Sequence, residues 1–184
     1  WGWRAGPFGA GPTGVIWWGA VGGGAPGGAP CANASAFTSI QAAIDAAETS
    51  PDADTIRITR SATWTGQALV VNTSQHLNIV GGFATCTQAE SDNVRTTVDG
   101  NGNSFVPVLR ITAATDGIVK LRHLTIQRGS AISSDNAYGG GIYFRGDGLL
   151  EIIESTISNN TAHYGGGIYA EGLGPNAELL ISVN

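Results

Sequence analysis

Methionine is missing from the whole sequence, position 1 included, and lysine occurs once, as Lys120. Charged residues make up only 12% of the 184 residues, and the net charge is −5. The nine basic side chains, eight of them arginine, are scattered from Arg4 to Arg145 without forming a cluster. A nucleic-acid groove needs such a cluster, so no nucleic-acid partner is expected. No apolar run approaches the roughly 18 residues of a membrane-spanning helix, so no transmembrane segment is expected in this stretch of chain. The chain stops at Asn184 inside an apolar run, residues 178–183. Together with the missing methionine, this reads as a fragment truncated at its C-terminus or as a processed product.

Cysteine is nearly as scarce. Cys31 and Cys86 stand far apart, with no CxxC, no cysteine–histidine cluster and no histidine pair at ligand spacing. Neither a metal site nor a cofactor is therefore expected. Two readings of the pair stay open. One is a disulfide, which by chain-entropy reasoning over a loop of this size would stabilise the fold by about 4 kcal/mol. The other is two separate buried thiols, and an oxidising compartment favours the bridge.

What the sequence has in excess is glycine, with 28 residues, about twice the usual share of roughly 7%. Much of it lies in short clusters between β-branched runs, a pattern of many strands and many turns. Residues 1–30 are a Gly/Pro/Ala/Trp tract with one apolar island, residues 15–21, too small to build a core. This tract is expected to be a poorly ordered leader or linker, with no regular element beyond a turn in the island. A worn signal peptide, with Arg4 ahead of the island and Ala32-Asn33-Ala34 as the cleavage site, is the other reading.

From residue 31 onward the patterning changes. Thr38-Ser39-Ile40-Gln41 has the form of a capping box, and Ile40, Ala43, Ile44 and Ala47 then recur on one helical face. A short amphipathic helix over 38–49 follows. Strand-like runs come next, at residues 55–58, 68–71, 77–80, 106–112 and 118–126, with Gly, Asn and Asp turns between them. Tyr138-Gly139-Gly140-Gly141-Ile142-Tyr143 then returns 26 residues later as Tyr164-Gly165-Gly166-Gly167-Ile168-Tyr169. Residues 150–160 match the pattern of residues 119–126 at a displacement of 31, and Glu178-Leu179-Leu180-Ile181 starts a third copy.

Repeats of this length, built of short strands without helices between them, suit one coil of a parallel β-helix. Alternate residues of each strand point inward and are buried only when another coil stacks at roughly 4.8 Å. The register follows. Val119 should lie over Leu150, Lys120 over Glu151, Leu121 over Ile152, Ile142 over Ile168, and Tyr143 over Tyr169 on the outer face, with Glu178 beyond Glu151. The helix would cover the open N-terminal end of the stack, where unpaired edges otherwise recruit other chains.

The sequence resembles a bacterial family of right-handed parallel β-helix repeat proteins. The matching segments are residues 37–47, 54–58, 77–83, Val98-Asp99-Gly100, Leu124-Thr125-Ile126 and the two GGGI copies, so the likeness spans residues 31–184. GGGI and Ile157-Ser158-Asn159-Asn160 are also similar to repeats of polymorphic outer-membrane proteins and autotransporter passengers, although Ile157 replaces the usual Phe. The resemblance implies an all-β, right-handed solenoid with a short capping helix, secreted or held at the cell surface and associated with the outer membrane. The function expected of the sequence as a whole is a noncatalytic, adhesin-like scaffold, with surface glycans or host or neighbouring cell-surface molecules as partners.

Candidate chemistry is sparse. Asp99-Gly100-Asn101-Gly102-Asn103 opens like a calcium loop but has Ser104 and Arg110 where the glycine and the bidentate glutamate belong, so it reads as an Asn/Gly corner. β-Helices also host polysaccharide lyases and hydrolases, and an enzyme with its active site mostly outside this fragment is the alternative function. Glycoside hydrolysis needs converging carboxylates. Asp147, Glu151 and Glu154 come nearest, yet Glu151 and Glu154 are an odd number of residues apart and face opposite sides of a regular strand. His76, His123 and His163 read as turn or surface residues. No catalytic residue is assigned. Tyr143 and Tyr169 are the candidate ligand-binding pair, an aromatic ladder on which sugars could stack.

Overall fold

The computed structural model describes residues 16–19, 34–37, 39–49, 53–60, 63–85, 88, 90–102, 106–133 and 137–182. The chain is mostly β, as its alternating apolar runs require. It opens with β1 (Ile16–Gly19), β2 (Ala34–Phe37) and a single short helix, α1 (Ile40–Glu48). A first circuit of strands follows, β3 (Asp54–Thr59), β4 (Trp64–Thr65) and β5 (Leu69–Thr73), and then a second, β6 (His76–Phe83), β7 (Thr96–Asp99) and β8 (Leu109–Ala113). The third comprises β9 (Ile118–Arg122), β10 (Leu124–Gln127), β11 (Ser130–Ala131) and β12 (Ile142–Gly146). The fourth comprises β13 (Leu149–Ile153), β14 (Thr156–Ser158), β15 (Thr161–Ala162) and β16 (Ile168–Gly172), and β17 (Glu178–Ser182) begins another.

Each circuit lays one strand on each of three parallel sheets, always in the same order. The first sheet runs β17-β13-β9-β6-β3-β1-β2, the second β14-β10-β7-β4 and the third β16-β12-β8-β5, with β11 and β15 forming a small fourth sheet. Inward residues stack in rows: Leu77, Val119 and Leu150, then Ile56, Ile79, Leu121 and Ile152 in the first sheet. Trp64, Val98 and Ile126 form the row of the second sheet, and Leu69, Leu109 and Ile142 one row of the third. All of these side chains are buried and belong to one core. The Lys120–Glu151, Leu121–Ile152 and Ile142–Ile168 registers agree with the 31- and 26-residue displacements read from the sequence.

Three details differ from expectation. Ser39, not Thr38, is the N-cap: its Oγ accepts from the Ala42 N–H, and the buried face is Ile40, Ala43, Ile44 and Ala47. Within the tract expected to hold only a turn, Ile16–Gly19 forms a strand inserted between β2 and β3. A run of Ile and Trp has the β propensity to fill a vacant slot between two strand edges. Finally, Glu178 lies beyond Leu149, and Leu180 beyond Glu151. The corner ahead of β17 sets this: the Asn176 N–H donates to Asp147 Oδ1 at 2.8 Å and the Glu178 N–H to the Gly148 carbonyl at 3.1 Å. A 27-residue displacement would keep the same inward parity, so hydropathy alone did not distinguish the two registers. Cys31, Cys86 and most of residues 1–30 lie outside the described residues.

The helix answers the open edge of the third sheet through side chains. The Val70 N–H donates to Gln41 Oε1 at 2.8 Å, and Gln41 Nε2 donates to the Val70 carbonyl at 2.9 Å. The Asn72 N–H donates to Glu48 Oε1 at 2.6 Å. Burial raises the Glu48 pKa, the Asn72 hydrogen bond opposes the rise and Asp45 adds to it, with a net shift upward. No helix among the described residues is long and apolar enough to cross a membrane.

Candidate functional site

Among the described residues, the outer face of the third sheet carries the densest grouping of aromatic side chains. Its first outward row is Val70, Arg110, Tyr143 and Tyr169, and its second is Asn72, Thr112, Arg145 and Glu171. Tyr138 and Tyr164, paired by a parallel bridge just ahead of β12 and β16, join the first row. The glycine triplets place them. Gly139 and Gly165 have φ of 65° and 60°, and a Cβ on either would collide with the carbonyl of Ile142 or Ile168. Only glycine lets the chain turn so tightly that both tyrosines of each YGGGIY copy reach one face.

The expected Tyr143–Tyr169 ladder is present, with centroids 5.8 Å apart and planes 2° from parallel. Its exposure differs from expectation, because Tyr143 is 8% exposed. The Arg110 guanidinium lies 4.6 Å over one face of Tyr143, from the neighbouring strand opposite Tyr169, so both faces are covered. The Tyr143 hydroxyl donates to Glu171 Oε2 at 3.3 Å. Burial first, and the Glu171 charge second, raise the Tyr143 pKa above the usual tyrosine value, with Arg145 and Arg110 opposing.

The most exposed rings of the stack are Tyr138 and Tyr164, 40% and 58% exposed, while Tyr169 is half-buried. They stack at 5.1 Å, and Tyr138 is tilted against Tyr169 at 4.7 Å. A sugar binds an aromatic ring through the ring's face, and within a stack most faces are taken by neighbouring rings. The exposed pair therefore offers ring edges, hydroxyls and whatever face of Tyr164 is turned away from Tyr138. The sequence had displayed these two tyrosines in its repeat, but not their exposure. Arg110 was not legible at all, since its place over Tyr143 depends on the β8–β12 register.

At the corners between sheets the polar side chains are braced. Asp99, fully buried, accepts from Arg128 Nε at 2.7 Å, from Gln127 Nε2 at 2.7 Å and from the Asn101 N–H at 2.6 Å. Burial pushes its carboxyl upward, but the bonds from Arg128, Gln127 and Asn101 together with the Arg128 charge outweigh it and hold the pKa below the usual carboxylate range. Two circuits further on, Asn160 Oδ1 accepts from the Gly129 N–H at 2.8 Å and its Nδ2 donates to the Ile126 carbonyl at 3.0 Å. This amide bridges to the backbone of the preceding circuit of strands.

His123 is buried, contrary to the surface reading, and sits at a turn with φ of 53°. Its Nε2 faces the Glu154 carboxylate and its Nδ1 lies 2.5 Å from Ser91 Oγ. With Nε2 protonated toward the carboxylate, Nδ1 accepts from the Ser91 hydroxyl. The order serine–histidine–glutamate is that of a nucleophile, a base and its orienting acid. The surroundings suit a brace instead: Arg122 shares Glu154 Oε2 at 3.2 Å, and the Asp92 N–H, which follows the serine, is spent on the Gly82 carbonyl at 3.0 Å.

The three carboxylates weighed for glycan chemistry have separate partners. Glu151 pairs with Lys120 at 2.8 Å, Glu154 with Arg122 and His123, and Asp147 with Thr115 and Asn176. His76 and His163 are exposed. Among the described residues no three His, Cys, Asp or Glu side chains gather to hold a metal ion. No protein-family model matches the chain, and neither curated proteins nor solved structures give a match.

Proposed function

We propose that the chain is part of a right-handed parallel β-helix that serves as an extracellular or cell-surface display scaffold, adhesin-like and without glycan-cleaving activity. The observation that carries this reading is the circuit order: three parallel sheets visited in the same sequence, turn after turn, with in-register stacking between coils. A right-handed winding accords with the strong handedness preference of parallel crossover connections. The repeats similar to those of polymorphic outer-membrane proteins and autotransporter passengers support the surface location. Each coil adds one rung to every face, so a solenoid multiplies a local pattern into an extended surface, the usual geometry of solenoid binding proteins.

The displayed pattern is the edge of the tyrosine stack, with Tyr138 and Tyr164 outermost and the Arg145–Glu171 ion pair among the outward residues of the same sheet. Phenol hydroxyls and charged side chains beside aromatic surface suit a glycan, whose hydroxyls and C–H faces need both. A glycan array probed with the wild-type chain and with Tyr164→Ala tests this. Binding that Tyr164→Ala weakens by tenfold or more supports recognition at this face; no binding leaves a scaffold alone. Release of reducing ends or unsaturated products from polysaccharides would replace the display reading with an enzymatic one.

A further inference from the structure

All four tyrosines of the chain belong to one line of rings. Taken in the order Tyr143, Tyr169, Tyr138, Tyr164, the successive centroid separations are 5.8, 4.7 and 5.1 Å. The line begins at a buried ring and ends at two exposed ones. Rings this close exchange an electron readily, so an electron hole created on one member can reach the others. It settles on phenols that can give up a proton, and Tyr138 and Tyr164, the most exposed of the four, release theirs directly to water. A phenoxyl radical carries spin on the ring carbons next to the hydroxyl-bearing carbon, the two Cε atoms. Two such rings, stacked on neighbouring rungs with centroids 5.1 Å apart and planes 20° from parallel, need only a shift of two exposed side chains to bring these carbons together.

We propose that Tyr138 and Tyr164 form an oxidative cross-linking site, at which a peroxide and a haem peroxidase couple the two phenols into a dityrosine joining successive coils. Each phenol loses one electron and its hydroxyl proton. The two radicals pair to form one Cε–Cε bond. The hydrogen on each joined carbon then shifts to the phenoxyl oxygen, which restores both phenols. In total the pair gives up two electrons and two protons, and one hydrogen peroxide takes them to become two water molecules. Tyr169 is the competing partner of Tyr138, but its ring is tilted 47° to Tyr138 and lies against Tyr143. Tyr164 is both more exposed and closer to parallel with Tyr138. The proposal depends on the tyrosine stack alone and not on the display reading.

The test treats dilute folded chain with a haem peroxidase and an equimolar amount of hydrogen peroxide, followed by denaturing electrophoresis, fluorescence and peptide mass spectrometry. The expected product is a monomer with dityrosine fluorescence, and a linked peptide pair containing Tyr138 and Tyr164 that is lighter by two hydrogens than the sum of its parts. Tyr164→Phe keeps the ring and removes the phenol, and should lower the intramolecular yield at least tenfold, whereas Tyr143→Phe should leave it within twofold. Circular dichroism of both variants checks that they remain folded. The proposal is overturned if dityrosine occurs only in covalent dimers, if the linked peptides contain Tyr169 in place of Tyr164, or if no cross-link forms. It is also overturned if chain unfolded in urea gives the same intramolecular yield, because folded geometry would then play no part.

Discussion

Lys120 Nζ lies 2.8 Å from Glu151 Oε2, joining β9 and β13 across one rung of the first sheet, while the adjacent residues Leu121 and Ile152 meet in the core. The ion pair marks the register, and the apolar pair holds it. Both charged side chains are partly exposed, so their attraction is screened and contributes at most about 1 kcal/mol. Lys120→Ala should therefore lower the unfolding free energy by less than that, and the loss should shrink in high salt. Leu121→Ala removes buried volume from a closed row and should cost about 2–5 kcal/mol at any salt concentration. Denaturant titrations at two ionic strengths separate these cases, and equal losses for the two variants would mean that the ion pair holds the register.

Much of this arrangement was legible because parity is stringent. A one-residue slip would turn Leu121 and Ile152 to water, so the alternation in residues 118–122 and 149–153 admits few registers. The helix face was legible for the same reason, since Ile40, Ala43, Ile44 and Ala47 recur at helical spacing. What could not be read depends on contacts between distant segments. Whether Tyr143 is covered depends on Arg110 one circuit earlier, and whether His123 is buried depends on Ser91, which lies in the irregular stretch between β6 and β7. The two-residue error at Glu178 came from corner length, which Asp147 and Asn176 fix through a hydrogen bond that hydropathy does not encode.

The edge of β5 yields a second prediction. Gln41 gives one hydrogen bond to Val70 and receives another, and Glu48 receives one from Asn72, so these two side chains take the place of a neighbouring strand. Gln41→Ala should cost about 1–2 kcal/mol, the ordinary net worth of two hydrogen bonds. The Gln41→Ala/Glu48→Ala double variant should in addition self-associate, because a bared edge offers unpaired N–H and C=O groups to another chain. Thermal melts together with size-exclusion chromatography over a range of protein concentrations measure both effects. A double variant that stays monomeric would show that the helix body, not these side chains, guards the edge.

Asp99 sets the behaviour in acid. Its folded pKa is held below the ordinary carboxylate value, net of an opposing burial effect, by Arg128, Gln127 and Asn101. The unfolded chain then binds the proton more readily, so the stabilisation is complete above the ordinary carboxylate range. It is lost as pH falls through that range and on through the depressed folded value, from about pH 5 downward. Asp99→Asn should lower stability at neutral pH by about 2 kcal/mol, because Arg128 loses its charged acceptor at a buried position. The same variant should lose less stability than wild type on going from about pH 5 to about pH 2. Parallel pH profiles for the two proteins would contradict this account of the corner.

The Ser91–His123–Glu154 line gives the last prediction, since a brace and a catalytic triad share its geometry but respond differently to chemistry. In a brace, the imidazole satisfies two partners and is satisfied by them, and its value lies in burial with no polar group left over. His123→Ala should then be costly, by about 2–3 kcal/mol, because it leaves the Glu154 carboxylate partly buried without its imidazole partner. Ser91→Ala, which removes one donor at a partly exposed position, should cost about 1 kcal/mol. Arg122 remains on Glu154 at 3.2 Å in either variant, which keeps the first loss short of what an unpaired buried charge would give. A triad makes a further demand that a brace does not: a donor free to stabilise the oxyanion next to the serine, and the Asp92 N–H is occupied by the Gly82 carbonyl at 3.0 Å. Ser91 in the folded wild-type chain should therefore stay unmodified by a fluorophosphonate under conditions that label serine hydrolases to completion. Labelling at Ser91 that disappears in a folded His123→Gln variant would refute the brace and make this corner an acyl-transfer site.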